Sequence, residues 1–419
     1  MHLLAQRVFA RLGVVPVPRL RRILLSLFLL AAFGDAAGKA LATSPAVRRV
    51  LVKHAPGDSA TLDLRAAARP SGNFEIFRLS SLNLVAGQNL YAEYPDEHSD
   101  RFKYSPTFAL LFSPFAILPW PLALFLWSVL NALLLFVAVE RVLPPRAALL
   151  AQALLLLEVL RAMQNAQSNG LIAGLIILAF SALERARAWR AATAVVLGVC
   201  VKIFPLAALT FAIPRRLAMR TGAWAVLIGA SFVALPLFVT TPSRLLAQYG
   251  WWRSVESSDA PQRWFSVMEL VYRWTGSTIP NWPIQLAGTL LLVAPLALRR
   301  ARWDEARFRF LYLCSVLLYV VLFNHQAERA SYVIAFTGAT LWFAGEPRAR
   351  WRTALYGVAL LTIPVLSTLV PSGLIPWYLM RSPTAMLYRL AVPSLAIWLG
   401  VQFELLRARQ FPLQRERPG

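Results

Sequence analysis

Cysteine is nearly missing from this chain: Cys200 and Cys314 are the only two among 419 residues. Both lie in apolar runs, so neither a structural disulfide nor a cysteine metal site is expected. Acid is also scarce, with 20 Asp and Glu against 43 Lys and Arg, a net charge of +23. No Gly-rich phosphate loop is present, which leaves a cytosolic nucleotide site without sequence support. In a soluble chain the positive excess would point to nucleic acid. Here the bases sit in short clusters between long apolar runs, the pattern of cytoplasmic loops in a membrane protein.

What the chain has in abundance is apolar surface. Hydrophobic residues make up 58% and charged residues 15%, with a mean hydropathy of +0.55. A soluble domain averages roughly 45–50% apolar. A membrane helix needs ~20 apolar residues, with ~17 as the lower limit. The runs are 22–40, 120–140, 147–163, 169–184, 221–240, 283–298, 307–323, 330–345, 352–370 and 388–406.

Lys/Arg placement sets the orientation. The N-terminus carries Arg7, Arg11, Arg19, Arg21 and Arg22 with no acid among them. Later clusters are Arg141 with Arg146, Arg185 to Arg190, Arg215 to Arg220, Arg299 to Arg309, Arg348 to Arg352, and Arg407 to Arg417. All are expected in the cytoplasm, as are both termini. Both flanks of 190–213 are basic, so one crossing there would invert everything after it. A hairpin of two short helices restores parity. Its break is Lys202-Ile203-Phe204-Pro205, where proline removes a helical donor. Lys202 is then at the outer tip.

The segment 105–119, bounded by Pro114 and Pro119, is read as an interfacial helix on the outer leaflet. The expectation is one all-α polytopic domain over 1–419 with about twelve crossings. Its outer elements are 41–119, a loop plus the interfacial helix and the expected catalytic region, and a second loop at 241–282. A cleaved signal peptide ending at Ala40-Leu41-Ala42 is the alternative for the first run. Against it, the run is long, and Asp35 and Lys39 are spaced one helical turn apart as a pair.

Polar chemistry collects on the expected outer face. The first loop holds Glu75 and the dense stretch Tyr94 to Pro106, with Asp96, Glu97, His98, Asp100, Lys103 and Tyr104. The second holds Trp251, Trp252, Arg253, Glu256, Asp259, Arg263, Trp264 and Glu269. Shorter elements add Gln164, Asn165, Gln167, Asn169, Lys202, Asn324, His325, Glu328, Arg329, Trp377 and Arg381. Glu158 and Arg161 near the end of one crossing are either functional intramembrane charges or a capping pair. Carboxylates, cations, amides and aromatics on one face suit a catalytic or carbohydrate-binding cavity better than a simple anchor.

Several short motifs, in order, resemble glycosyltransferase family 87, within the GT-C superfamily of polyprenyl-phosphate-sugar-dependent transferases. They are Asn73-Phe74-Glu75-Ile76-Phe77, Gly87-Gln88-Asn89-Leu90-Tyr91, Lys103-Tyr104-Ser105-Pro106, Leu118-Pro119, Gln167-Ser168-Asn169-Gly170 and Lys202-Ile203-Phe204-Pro205. The likeness runs over roughly 70–340 and rests on order and spacing. It implies a GT-C-like bundle that moves a hexose, mannose being the leading choice, from a polyprenyl phosphate to a lipid or glycan acceptor outside the membrane, with inversion and without a metal. Asp96, Glu97, His98 and Asp100 are potential metal ligands, but the resemblance argues against that use. One departure matters: the family places a catalytic Asp where this chain has Asn73, and an amide is no general base.

The base is therefore assigned to Glu97 or Asp100, with Glu75 in reserve and Asp96 as a further choice. His98 is a second base or an orienting group. Lys202 is the first choice for the donor phosphate, followed by Arg329, Arg381 and Lys103. Asn73, Tyr104, Gln167, Asn169, His325 and Trp264 are candidates for holding sugar or acceptor. A secondary transporter and a lipid-linked glycan polymerase or flippase are the competing readings; a transporter predicts matched broken helices in two halves, and only one broken hairpin is visible.

Overall fold

The computed structural model describes residues 15–44, 72–95, 100–347, 349–369 and 382–407. Among these residues the chain is helical without strands. In order, the helices are α1 (Val17–Ala42), α2 (Gly72–Ala86), α3 (Pro106–Leu111), α4 (Ser113–Ile117), α5 (Trp120–Glu140), α6 (Pro145–Gln164), α7 (Asn169–Glu184) and α8 (Ala188–Val201). A 3-10 segment, Phe204–Ala212, leads to α9 (Ala218–Ala234), α10 (Pro242–Asp259), α11 (Val267–Thr275) and α12 (Asn281–Leu298). The last are α13 (Ala306–Leu322), α14 (Tyr332–Gly345), α15 (Arg350–Leu360, continued by a π turn, Leu361–Val365) and α16 (Pro383–Leu406).

Each apolar run read from the sequence falls on helix over its described residues. Among the described residues, six helices are long and apolar enough to cross a membrane: α1, α5, α6, α9 with its 3-10 extension to Phe238, α12 and α16. α7 and α8 are shorter apolar helices. α13 and α14 are almost wholly buried and form the centre. α1 and α9 present bare apolar side chains, including Phe33, Met219, Val226 and Phe238. Such contiguous surface is stable against lipid and costly in water. The protein is a multi-pass membrane protein.

Prolines and short polar caps start the helices. Ser105 accepts the Phe108 N–H with Pro106 at the first position, and Ser382 accepts the Ala385 N–H ahead of Pro383. The segment 105–119, expected as one interfacial helix, folds as α3 and α4 instead. Phe112 at their junction is buried, because the piece packs under α2 and α5. Phe77 of α2 stands edge-on to Tyr104, Phe108, Phe112 and Trp127, at 5.0, 5.1, 5.4 and 6.0 Å between centroids. The aromatic motifs of the first loop are thus one packing unit that pins residues 102–112.

The broken hairpin has the expected shape. α8 ends at Val201, Lys202 is extended, and the chain returns as the 3-10 segment. Fourteen α residues and nine 3-10 residues span about 21 and 18 Å, so the return matches the outward leg. Gly198 allows the close approach, since a Cβ there would lie 2.9 Å from Pro205 Cβ. Arg215 then donates back to the Leu183 carbonyl at 3.3 Å.

The polar contacts sort into two ends. At one, the arginine clusters meet each other's helices: Arg21 with Glu140, Arg309 with Glu184, Arg299 with the Leu406 carbonyl, and Arg352 with Glu404. At the other lie Lys202, Asn169, Gln167, Glu328, Lys103 and Asp259.

Candidate active site

A cavity of about 540 Å³ opens at the second end. Its walls come from the Lys103–Tyr104 strip, the Lys202 break, α10, the loop before α11, α12, α13 and the turn Asn324–Glu328. Along three of these elements the lining changes character in register. On α12 it runs from Gln285 and Thr289 to Leu292 and Val293. On α13 it runs from Asn324 and Phe323 back to Val320 and Tyr319. From Lys202 it runs to Phe204, Leu206 and Ala207. The cavity therefore has a charged head and an uncharged, mainly apolar tail between helices, with hydroxyls from Thr210, Thr289 and Tyr319.

Local chemistry explains how the cations reach it. Ser105 donates its hydroxyl to the Cys200 carbonyl at the end of α8. That bond seats the Tyr-Ser-Pro strip against the broken hairpin and brings Lys103 and Tyr104 to the same cavity as Lys202. Lys202 Nζ donates to Asn169 Oδ1 at 2.9 Å. Among the described residues no carboxylate pairs with it directly. Burial pulls its pKa below the ordinary lysine value, with the charge of Glu328 opposing. Lys103 is treated differently: burial disfavours its charge, but Asp100, Asp259 and Glu328 more than compensate, and its pKa is raised. Asp259 lies 3.2 Å from Nζ and Asp100 3.7 Å. Only four lysines occur in the chain, at 39, 53, 103 and 202, so two of the four line this one cavity.

Gln167 and Asn169 sit on one turn and hold opposite charges. Gln167 Nε2 donates to Glu328 Oε2 at 3.0 Å, while Asn169 takes Lys202. The turn is strained: Ala166 has φ +49°, a region few non-Gly residues adopt. Trp127 fixes it by donating to the Ala166 carbonyl at 2.9 Å. Gly170 permits α7 to lie against α5, where a Cβ would be 3.1 Å from the Asn131 carbonyl oxygen. Both amides are buried, and Gln167 Oε1 and Asn169 Nδ2 have no hydrogen-bond partner.

On the opposite wall Trp264 has φ +31°, strained for a bulky residue. Its flanks are tied down: Phe265 N–H donates to the Ala327 carbonyl at 3.0 Å, and the Tyr332 hydroxyl donates to the Phe265 carbonyl. Its indole N–H donates to Gln262 Oε1 at 2.6 Å. Asp259 is buried and also accepts from Gln262 and Gln326, at 2.8 and 3.3 Å. Glu256 lines the cavity; burial raises its pKa, with Asp259 adding to the rise and Trp252 and Lys103 opposing it. His325 lines it too. Burial lowers its pKa against the pull of Asp259, and its Nε2 is buried without a partner.

Of the residues singled out from sequence, Lys103, Tyr104, Lys202, Trp264 and His325 converge on the cavity. Asp100 stands beside Lys103 at its edge. Gln167 and Asn169 lie behind the wall and face Glu328 and Lys202. Asn73 donates to the Asn165 carbonyl, and Glu75 lies beside Arg78 and Trp120, so neither lines the cavity. Arg329 is clamped by Glu158 through two guanidinium nitrogens and donates to the Ile363 carbonyl, and it does not line the cavity. Glu158 thus pairs across the bundle with Arg329, where a local pair with Arg161 was one of the readings. Asp35 and Lys39 do pair, at 2.8 Å. Asp96, Glu97, His98, Trp377 and Arg381 lie outside the described residues. Among the described residues no three of His, Cys, Asp and Glu converge as metal ligands would. Sequence reasoning gave no catalytic or binding role to Glu256, Gln262 or Glu328, which carry no motif.

No curated protein matches the chain. The family model of glycosyltransferase family 87 matches residues 102–324, more than half of its length. That stretch begins at the Lys103–Tyr104 strip and ends at the Asn324 turn, enclosing nearly the whole cavity wall. The chain belongs to glycosyltransferase family 87 and is a membrane glycosyltransferase.

Proposed function

We propose that this protein transfers a hexose, mannose first among the choices, from a polyprenyl phosphate to a lipid or glycan acceptor on the non-cytoplasmic face of the plasma (inner) membrane. The arginine end then faces the cytoplasm with both termini. One observation carries the reading: one cavity joins two lysines to an uncharged, mainly apolar recess between α12, α13 and the 3-10 segment. A polyprenyl-linked sugar has the same polarity, with a phosphate and a sugar at the head and a hydrocarbon tail. The cavity's volume of about 540 Å³ falls within the roughly 300–1,000 Å³ range of small-ligand pockets.

In this reading Lys202 receives the departing phosphate. A lysine held by an amide and by no direct carboxylate partner is a charge awaiting an anion, and stabilising developing charge is the main task in such a transfer. Lys103 is the second cation. Asp100 is then a group that holds Lys103, which removes it as first choice for the base. No metal is part of this reading. Supplying reconstituted protein with radiolabelled polyprenyl-phosphate hexose tests it. Label appearing in a new glycoside or glycolipid supports transfer. Uptake of a free solute without transfer would favour the transporter reading instead.

A further inference from the structure

Two carboxylates line the cavity among the described residues, Glu256 and Glu328, and they are held in unlike ways. Glu328 is fixed by Gln167 on the same turn whose Asn169 holds Lys202. It sits beside the cation proposed for the leaving phosphate, where a base would face the wrong partner. Glu256 projects from α10 into a wall of different chemistry, with Trp252 one turn earlier and Gln262 and Trp264 just beyond the helix. Indole faces, an amide and a carboxylate are what a polyhydroxylated ring needs: stacking for its C–H faces, and acceptors for its hydroxyls. The cation that acts on it, Lys103, is already paired with Asp259 at 3.2 Å.

We propose that Trp252, Glu256, Gln262 and Trp264 form the acceptor subsite, that the acceptor group is an uncharged sugar, and that Glu256 takes the proton from its attacking hydroxyl. This rests on the transfer reading above.

The strained Trp264 backbone supports it. Strain of this kind persists only when surroundings over-determine it, and it gathers at functional sites. Here Phe265, Ser266 and Tyr332 hold the loop so that the indole, still 48% exposed, borders the cavity. The raised proton affinity of Glu256, caused chiefly by burial, suits a group that must accept a proton and release it again. The groups that face it are Trp252 and Asp259 on its own helix, Lys103 and Tyr91 from the first loop, and His325 across the cavity. Asn73 is an amide and does not line the cavity, which leaves the role open for a carboxylate that does.

In the step, the acceptor O–H bond breaks and its proton goes to Glu256. The oxygen forms a bond to the anomeric carbon as the bond from that carbon to the phosphate oxygen breaks. The electron pair leaves with the lipid phosphate, which gains one negative charge beside Lys202. Glu256 later returns its proton to water.

The test uses the full chain in proteoliposomes, with polyprenyl-phosphate mannose as donor and octyl mannoside or its 6-phosphate as acceptor. Glu256→Gln is expected to lower kcat about 100-fold or more, with donor KM changed less than twofold. The rising acid limb of the pH profile should vanish in Glu256→Gln and persist, displaced, in Glu256→Asp. Azide, a nucleophile with no proton to lose, should give glycosyl azide in Glu256→Gln at a rate near that of wild type. The phosphorylated acceptor should be poor. A Glu256→Gln protein that keeps its kcat and acid limb, or a limb lost instead in Glu97→Gln, overturns the assignment. Equal use of both acceptors overturns the uncharged class. Wild-type protein that moves no hexose from the donor to any acceptor overturns the transfer reading along with it.

Discussion

At the arginine end, Arg307, Arg352, Glu346 and Glu404 form a closed set in which each base touches both acids, at 2.5 to 3.3 Å. Arg352 also lies over the Trp342 and Trp351 rings and donates to the Pro347 carbonyl. In the cavity lining the cations are lysines, Lys103 and Lys202. Lys202 has an amide in place of a carboxylate, and several buried polar atoms around it lack partners. Guanidinium forks suit fixed, bidentate pairing, and an ammonium is a point charge that can change partners. In the closed set every charge has opposite partners; in the proposed reading the charge left without one at the cavity is where the ligand arrives.

Removing one member of the closed set should have the largest effect. Glu404→Ala leaves the buried Arg352 short of a partner, which costs about 3–5 kcal/mol in comparable sites. Thermal unfolding in detergent should show a large drop, with transfer per folded molecule unchanged. Lys202→Met should do the reverse. Transfer falls about 100-fold or more, as for the loss of a charge-stabilising group, while the melting temperature stays level or rises because a poorly solvated charge has gone. A melting loss as large as that of Glu404→Ala would erase the contrast between the two ends.

Asn169→Ala should be milder, about tenfold in kcat/KM for donor, the scale of one buried hydrogen bond of ~1–3 kcal/mol. The pH dependence sharpens the same point. Lys202 has its pKa lowered, so its charge is complete at low pH and is lost, as pH rises, earlier than for an ordinary lysine. Donor affinity should fall on the alkaline side. Glu328→Gln, which removes the opposing charge, should move that limb to lower pH, and an unmoved limb would count against the coupling. The smallest effect belongs to Arg216→Ala, since both Arg216 and its partner Asp304 are exposed and such pairs contribute close to nothing.

Much of the scaffold was legible because membrane helices announce themselves as apolar runs. The hairpin followed from charge parity and one proline, and the structure has both legs and the Lys202 tip. α2 was not legible: it buries Ser80, Ser81 and Asn83 beside Phe74 and Phe77, so no apolar run signals it. α10 and α11 were missed for the same reason, being mixed helices on top of the bundle. Lys202 was readable as a lone cation at a helix break. The partners of Arg329 and Glu328 were not, because Glu158 and Gln167 lie 171 and 161 residues away in sequence. Gln167 and Asn169 were recognised as special, but that they brace two opposite charges depends on the three-dimensional turn alone. Glu256 was one acid among several in its loop until the cavity singled it out.

The central claim is that the lysine end of the cavity is built for a lipid phosphate. Binding of radiolabelled polyprenyl phosphate to the purified protein addresses it directly. Saturable binding to wild type is expected, retained by the folded fraction of Glu404→Ala and lost from Lys202→Met at unchanged fold stability. Equal binding to wild type and Lys202→Met would contradict it.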